Sequence, residues 1–253
     1  MEIEERTKLF GLLGKNISYS FSRGYFAEKF DLLELTDHKY VNFDLDSIQE
    51  LTALIQKNKD QLVGFNITIP YKEEVIPFLD KIDKKAAKIG AVNTVRISKK
   101  GKLKGFNTDY YGFKESLKPL LKEKHKKALI LGTGGASKAV AFALKRMNFE
   151  VVFVSRQGTG GDVITYQQLD ETVIKEHLLI INCTPLGTHP NVDNCPAIPY
   201  ECIGESHILY DLIYNPAKTL FLQKGEEKGA VIKNGLEMLE LQAEKAWQIW
   251  QKS

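Results

Sequence analysis

The stretch ALILGTGGASKAVAFALKRMNFEVVFVSR, residues 128–156, decides the fold class. An apolar run of strand length leads into Gly132, Gly134 and Gly135, and a helical apolar pattern and a second apolar strand follow. Glycines in such a turn let the backbone approach a pyrophosphate, and the helix N-terminus offers N–H groups and its dipole to the same anion. Ser137 replaces the third glycine of the usual spacing, but the strand–turn–helix–strand context predicts a dinucleotide-binding unit.

The end of the second strand bears on the choice of cofactor. An NAD-binding protein usually offers an acidic side chain to the ribose 2′-hydroxyl at this point, whereas this chain has Ser155 followed by Arg156. A guanidinium suits a 2′-phosphate, so the pattern favours NADP over NAD. The alternative from these residues alone is a tight turn without a ligand and a surface arginine.

Strands and helices alternate on both sides of this stretch, which predicts an α/β fold with a mostly parallel sheet. On the N-terminal side the patterns predict strands at 8–14, 40–45 and 62–68, helices at 25–33 and 46–58, a helical stretch at 71–90 that is broken by Pro77, and a hairpin within 91–108. On the C-terminal side they predict strands within 177–185, 206–214 and 229–235, and an amphipathic helix at 236–250. A domain boundary is expected near residues 109–125.

Composition narrows the function classes. The 253 residues are 43% hydrophobic and 26% charged, enough for a sizeable core. The net charge of +3 argues against a nucleic-acid binder but allows a small anionic ligand. Three cysteines without a C-x-x-C pair, and an N-terminus without an apolar signal region, fit a cytoplasmic protein. The chain has no apolar run long enough for a membrane helix, and its five histidines lack metal-ligand spacing, so we expect neither a membrane nor a metal.

Polar side chains gather at the predicted strand ends of the first half. They are Ser20, Ser22, Asn66, Thr68, Lys72, Asn93, Thr108 and Asp109. Hydroxyls and amides at the carboxyl ends of strands suit a polyhydroxylated ligand, and a lysine suits a carboxylate or a proton transfer. Each residue alone could be a helix cap or a turn residue. Their combination beside a dinucleotide-binding unit favours a substrate site.

Seven blocks, in order, resemble the motifs of the shikimate dehydrogenase family. They are GFNITIPYKEEV (64–75), GAVNTV (90–95), GFNTDYYGF (105–113), GTGGASKA (132–139), INCTPLGT (181–188), YDLIYNPAKTLFL (210–222) and NGLEMLELQA (234–243). The resemblance implies a substrate domain of residues 1–109 plus 236–253 and a Rossmann NADP-binding domain of residues 110–235, with the final helix returning to the first domain. It also implies NADPH-dependent, reversible reduction of 3-dehydroshikimate to shikimate, a step toward chorismate and the aromatic amino acids.

The resemblance also assigns roles to individual residues. It makes Lys72 and Asp109 the catalytic pair, with Lys72 giving the proton and Asp109 orienting it. It assigns substrate contacts to Ser20, Ser22, Asn66, Thr68, Asn93, Tyr214 and Gln242. It assigns cofactor contacts to Gly132, Thr133, Gly134, Gly135, Ala136, Ser137, Ser155, Arg156, Leu212 and Gly235.

Departures from the family pattern leave alternatives open. In KNISYSFSR (15–23) the serines are kept, but Asn16, Tyr19 and Arg23 replace the family's proline, histidine and proline. A second basic residue often found just after the Arg156 position is absent. The rival interpretations are an NAD-dependent quinate or shikimate dehydrogenase acting oxidatively, and a non-catalytic ligand sensor on the same fold. We expect a monomer or a homodimer that binds a small-molecule substrate.

Overall fold

The computed structural model describes residues 7–17, 21–158 and 161–252. The chain forms two compact units, which are considered one at a time. Unit 1 comprises Met1–Thr108 and Ala243–Ser253, and unit 2 comprises Asp109–Gln242. Both are built from a sheet with helices, so the predicted α/β class is confirmed.

Unit 1 is built on a mixed six-stranded sheet. Its strands are β1 (Lys8–Gly14), β2 (His38–Asp44), β3 (Leu62–Ile67), β4 (Lys81–Ile82), β5 (Thr94–Ile97) and β6 (Leu103–Phe106). They lie in the order β2-β1-β3-β5-β6-β4, with β1 parallel to both β2 and β3. Strands β5 and β6 pair antiparallel and form the predicted hairpin, and β5 also pairs antiparallel with β3. The carboxyl ends of β1 and β3 therefore lie side by side.

The helices of unit 1 correct one prediction. They are α1 (Phe21–Leu32), α2 (Leu51–Lys57) and α3 (Lys84–Ile89). The predicted helical stretch at 71–90 is wrong in its first half. Turns occupy 69–75, and a short 3-10 helix covers Ile76–Phe78. Pro77 lacks the N–H that a continuing helix needs, and α3 begins only where the Asp83 side chain accepts from Lys85 N at 2.9 Å.

An aromatic cluster closes one side of the unit 1 sheet. Phe10, Phe26, Phe30 and Tyr40 pack with Trp250, all at most 6% exposed. The indole N–H of Trp250 donates to the Val95 carbonyl oxygen at 2.9 Å, so the end of the chain is bonded to the sheet. Buried aromatic pairs stabilise beyond their buried area, and an indole N–H needs such a partner when it is buried.

Unit 2 is built on an all-parallel six-stranded sheet. Its strands are β7 (Lys127–Leu131), β8 (Glu150–Ser155), β9 (Val163–Thr165), β10 (Leu179–Asn182), β11 (Ile208–Asp211) and β12 (Val231–Lys233). They lie in the order β9-β8-β7-β10-β11-β12, which is 3-2-1-4-5-6 within the unit. Every residue of β10 and β11 is buried, as expected for parallel strands covered on both faces. This order is that of the Rossmann fold.

Five α-helices begin in the described part of unit 2. They are α4 (Asp109–Leu117), α5 (Gly135–Arg146), α6 (Glu171–Glu176), α7 (Leu220–Glu226) and α8 (Leu236–Trp250). The bounds of α8 coincide with the predicted amphipathic helix, and α8 starts in unit 2 and ends in unit 1. Across the described ranges, no helix is both long and apolar enough to cross a membrane.

Candidate functional site

The glycine turn lies at the point where the strand order of unit 2 reverses. Gly132 follows β7 with φ +103°, and its N–H donates to Val154 O at 2.8 Å. A Cβ added at Gly132 would lie 3.2 Å from the Thr184 methyl and 3.3 Å from the Cys183 carbonyl oxygen. The turn after β7 thus packs on the turn after β10, and open α/β sheets bind ligands at such a switch point.

The start of α5 is open to an anion. Gly134 is the N-cap, and a Cβ added there would meet nothing within 4 Å. Gly134 has no side chain to cap the helix, so the first-turn N–H groups of this 12-residue helix are available to a ligand. Ser137 is buried, and its hydroxyl donates back to Gly134 O at 2.6 Å, which fixes the turn. Thr133 is exposed and Ala136 is half-buried beside it.

Arg156, which is predicted to favour NADP over NAD, follows the end of β8. The Ser155 hydroxyl donates to Gln157 O, which tightens the turn, and Arg156 is exposed. Burial raises the pKa of Tyr166, and the charge of Arg156 acts in the opposite direction on the pKa of the same phenol. The guanidinium is therefore near Tyr166 and remains accessible.

A buried network missed by the sequence analysis holds the ends of β10 and β11 together. Asp211 accepts from Thr219 Oγ1 at 2.6 Å, from Ile213 N at 3.0 Å and from Asn182 Nδ2 at 3.1 Å. Asn182 Oδ1 in turn accepts from Thr184 N at 3.0 Å and Thr184 Oγ1 at 2.6 Å. Burial raises the pKa of Asp211 to about 6, although these donors lower it. The sequence did contain a signal for this network, because Asp211 is an acidic residue at the end of an apolar strand.

Two other cofactor candidates meet beyond β11. Leu212 N donates to Asn182 O at 3.0 Å, and Gly235 N donates to Ile213 O at 3.0 Å. A Cβ at Gly235 would lie 2.1 Å from Leu212 O, so a side chain cannot fit there. The substrate candidate Tyr214 is half-buried, and Gln242 is buried with its Nε2 donating to Leu239 O at 2.9 Å.

A second buried polar network lies in unit 1. Asn66 Nδ2 donates to Thr94 Oγ1 at 3.1 Å and to Asn93 O at 3.3 Å. Asn93 Oδ1 accepts from Thr108 N at 2.6 Å, and Asn93 Nδ2 donates to Thr108 Oγ1 at 2.9 Å. Asn66, Asn93, Thr94 and Thr108 are all at most 4% exposed. The structure thus brings the predicted Asn66 and Asn93 together through Thr94, which the sequence analysis did not select.

The other unit 1 candidates within the described residues are Thr68, Lys72 and Ser22. Thr68 follows β3, is half-buried, and donates its N–H to Leu13 O at 2.9 Å. Lys72 is half-buried in the turn after it, and its carbonyl accepts from Val92 N at 2.7 Å. Ser22 is buried on α1. Ser20 lies outside the described residues.

Asp109 is the first residue of α4, and it is also the first residue of unit 2. Its side chain is buried, 6% exposed, and it directly follows Thr108 of the unit 1 network. Its pairing with Lys72 stays a prediction. Within residues 7–17, 21–158 and 161–252, no three His, Cys, Asp or Glu side chains are grouped to hold a metal ion.

A Rossmann sheet with an open glycine turn, joined in one chain to a second α/β unit that buries amides and hydroxyls, defines a dinucleotide-dependent oxidoreductase. The family model described as the shikimate dehydrogenase substrate binding domain matches residues 12–95. The shikimate dehydrogenase (NADP(+)) of Caldanaerobacter subterraneus subsp. tengcongensis is 38% identical, over 99% of this chain and 94% of its own length. The chain belongs to the shikimate dehydrogenase family.

Solved structures agree with this membership. The shikimate 5-dehydrogenase of Thermus thermophilus, in complex with NADP(H) and shikimate, has a TM-score of 0.86 at 32% identity and covers 98% of this chain and 94% of its own. The quinate dehydrogenase of Corynebacterium glutamicum, in complex with NAD, has a TM-score of 0.87 at 26% identity, with coverage of 98% and 95%. Enzymes whose names differ in substrate and cofactor therefore share this fold, so the fold by itself does not determine either one.

Proposed function

We propose that this chain is an NADP-dependent shikimate dehydrogenase, which reversibly reduces 3-dehydroshikimate to shikimate on the route to chorismate and the aromatic amino acids. The observation that carries the proposal is the 38% identity to a shikimate dehydrogenase (NADP(+)) over nearly all of both chains. Arg156 at the end of β8 supports NADP, because a guanidinium matches the charge of a 2′-phosphate.

The substrate is held by hydroxyl and amide side chains in this proposal. Ser20 and Ser22 bind the carboxylate, and Asn66, Thr68, Asn93, Tyr214 and Gln242 bind the ring hydroxyls and the rest of the substrate. The hydrogen bonds of Asn66 and Asn93 support these roles, because both amides are held in fixed orientations before any ligand arrives.

Proton transfer is the task of Lys72. Reduction of a ketone needs a hydride on carbon and a proton on oxygen, and an ammonium can donate that proton while stabilising the charge that develops on the oxygen. Asp109 orients the ammonium in this proposal. The turn that carries Lys72 is anchored through its carbonyl to Val92, which supports a fixed position for the lysine backbone.

The residues of unit 2 fit a dinucleotide. Gly134 leaves the start of α5 uncovered, and Gly132 has a positive φ and a close approach to Cys183 that both disfavour a side chain. NADPH, when bound, supplies the hydride. The residues proposed to hold it are Gly132, Thr133, Gly134, Gly135, Ala136, Ser137, Ser155, Arg156, Leu212 and Gly235.

The test is the absorbance of reduced nicotinamide with purified protein, with shikimate or quinate offered against NADP⁺ or NAD⁺ in separate cuvettes. Rapid reduction of NADP⁺ by shikimate, with little reaction of quinate, is the expected result. Preference for NAD⁺ with quinate would assign the chain to the oxidative enzyme and remove the role of Arg156. No reduction of either cofactor would contradict enzymatic function and favour the ligand sensor.

Location and assembly are further parts of the proposal. We propose a cytoplasmic enzyme, which agrees with Cys183, Cys195 and Cys202 all being free thiols. We also propose a monomer or a homodimer without nucleic-acid partners. Size-exclusion chromatography with light scattering measures the assembly directly, and a mass near 28.6 kDa or twice that value is expected.

A further inference from the structure

Tyr40 contacts one of the proposed substrate residues. Its hydroxyl donates to Asn66 Oδ1 at 2.9 Å. Tyr40 lies on β2 and Asn66 on β3, with β1 between the two strands. Only a side chain as long as tyrosine can bridge that separation with a hydroxyl, so the link depends on this residue type.

The ring of Tyr40 is held rigidly. It stacks on Phe26 with centroids 4.6 Å apart and planes 13° apart, and it also contacts Trp250 at 6.4 Å between centroids. Tyr40 is 6% exposed, and burial raises the pKa of its phenol well above the ordinary value. The hydroxyl therefore remains a neutral donor over the whole working pH range.

The bond from Tyr40 determines which way the Asn66 amide faces. Because Oδ1 accepts from Tyr40, Nδ2 must face Thr94 Oγ1 and Asn93 O, and both accept from it. The flipped amide would set its oxygen against the Asn93 carbonyl oxygen, which cannot donate, and would leave the Tyr40 hydroxyl without its acceptor. Without the Tyr40 hydroxyl, one buried Asn66 atom loses its donor and the two orientations become closer in free energy.

The effect extends along the network. Thr94 Oγ1 accepts from Asn66 and donates to Asn93 Oδ1 at 3.2 Å, and Asn93 bonds Thr108. A buried chain of hydrogen bonds therefore runs from Tyr40 through Asn66 to Thr108, just after β6. Such networks act as a unit, because each member orients the next.

We propose that Tyr40 is a positioning residue, which holds the hydroxyl-binding Asn66 in one orientation and so sets the affinity for the substrate. The inference rests on the proposed function, since it takes Asn66 as a substrate contact. Tyr40 itself acts through Asn66 and touches neither the cofactor nor the reacting atoms in this proposal.

The decisive variant is Tyr40→Phe, which removes one hydroxyl and keeps the stacked ring. KM for shikimate is expected to rise about tenfold, because a buried acceptor loses its donor. KM for NADP⁺ is expected to stay unchanged, and kcat to change less than about twofold. The matched control is Tyr210→Phe, which removes another buried hydroxyl, bonded to Ser116 Oγ at 2.7 Å in unit 2, and should leave KM for shikimate unchanged.

A double-mutant cycle separates positioning from loss of stability. If Tyr40 acts through Asn66, then Tyr40→Phe should raise KM little further in an Asn66→Ala background. Thr94→Val provides a second variant, should Tyr40→Phe fold poorly, since valine has nearly the same shape as threonine but removes one of the two acceptors of Asn66 Nδ2. It should also raise KM for shikimate and leave KM for NADP⁺ unchanged.

The outcomes distinguish this inference from the proposed function. If wild-type protein reduces NADP⁺ with shikimate and neither Tyr40→Phe nor Thr94→Val changes KM for shikimate, the role of Tyr40 is overturned alone. Equal rises in both KM values, or full additivity with Asn66→Ala, would also overturn it, because they indicate a general loss of structure. Wild-type protein without shikimate turnover would contradict the proposed function instead.

Discussion

The Thr219 hydroxyl donates a 2.6 Å hydrogen bond to Asp211 Oδ2, and neither residue is more than 1% exposed. Through its other oxygen, the same carboxylate receives Ile213 N and Asn182 Nδ2. Asp211 thus holds the turns after β10 and β11, where Thr184 packs on Gly132 of the glycine turn. A buried carboxylate supports this part of the proposed cofactor site at a cost in stability.

That cost depends on pH. Burial raises the pKa of Asp211 from 3.8 to about 6, so between these values the folded chain holds a proton that the unfolded chain has released. The contribution of Asp211 to stability therefore falls as pH rises from about 4 to about 6. The free energy of unfolding of Asp211→Asn minus that of wild type should therefore be roughly 2 kcal/mol larger at about pH 7.5 than at about pH 4.5. Urea titrations at both pH values measure it, and a difference independent of pH would contradict the prediction.

Lys72 should be required for catalytic turnover. Lys72→Ala is expected to lower kcat with shikimate and NADP⁺ by about 10²- to 10⁴-fold, because it removes the proposed proton donor. The exposed Lys81 on β4 provides the control, since Lys81→Ala removes a similar charge elsewhere in unit 1. Steady-state kinetics and thermal unfolding on the same preparations are the measurements. Near-native turnover in a folded Lys72→Ala protein would exclude the assigned role.

Arg156 should set the cofactor preference. Arg156→Gln removes one charge-assisted hydrogen bond to the 2′-phosphate, so kcat/KM for NADP⁺ should fall about 10- to 100-fold while that for NAD⁺ stays nearly constant. Arg146 is exposed in the last turn of α5, and Arg146→Gln serves as the matched control. Parallel losses with both cofactors would show that Arg156 does not recognise the 2′ position.

Two glycines of one turn should respond differently to alanine. Gly132→Ala strains a φ of +103° and crowds Cys183 O, so the free energy of unfolding should fall by about 1–3 kcal/mol. Gly134→Ala meets nothing within 4 Å, so stability should hold while KM for NADP⁺ rises, since the methyl group covers the start of α5. Chemical denaturation and kinetics measure the pair. Equal losses of stability would contradict the distinction.

The sequence predicts unit 2 and α8 well because their signals are local. Glycine spacing and the apolar periods around residues 128–156 depend only on neighbours in the chain, and α8 has an uninterrupted amphipathic pattern. Residues 71–75 have a helix-like composition but form turns, because Pro77 and the cap at Asp83 move the helix start. Local periodicity does not carry that information.

Hydrogen-bond partners were the part that the sequence could not supply. Tyr40 and Asn66 lie 26 positions apart, and Asn182 and Asp211 lie 29 apart, so their contacts follow from strand order and register. Resemblance to the family selected Asn66 but neither Tyr40 nor Asp211. Tyr40 has no chemical signature of its own in the sequence, because it supports the proposed site only through another residue.

The two-unit path of α8 has a consequence for how the protein is made. Unit 2 is continuous from Asp109 to Gln242, whereas unit 1 needs residues 243–253 to place Trp250 against Val95 and the aromatic cluster. During synthesis, the first 108 residues leave the ribosome long before their last core residue exists. All of unit 2 can therefore be synthesised before unit 1 is complete, and unit 1 keeps an uncovered apolar face until Trp250 has been made.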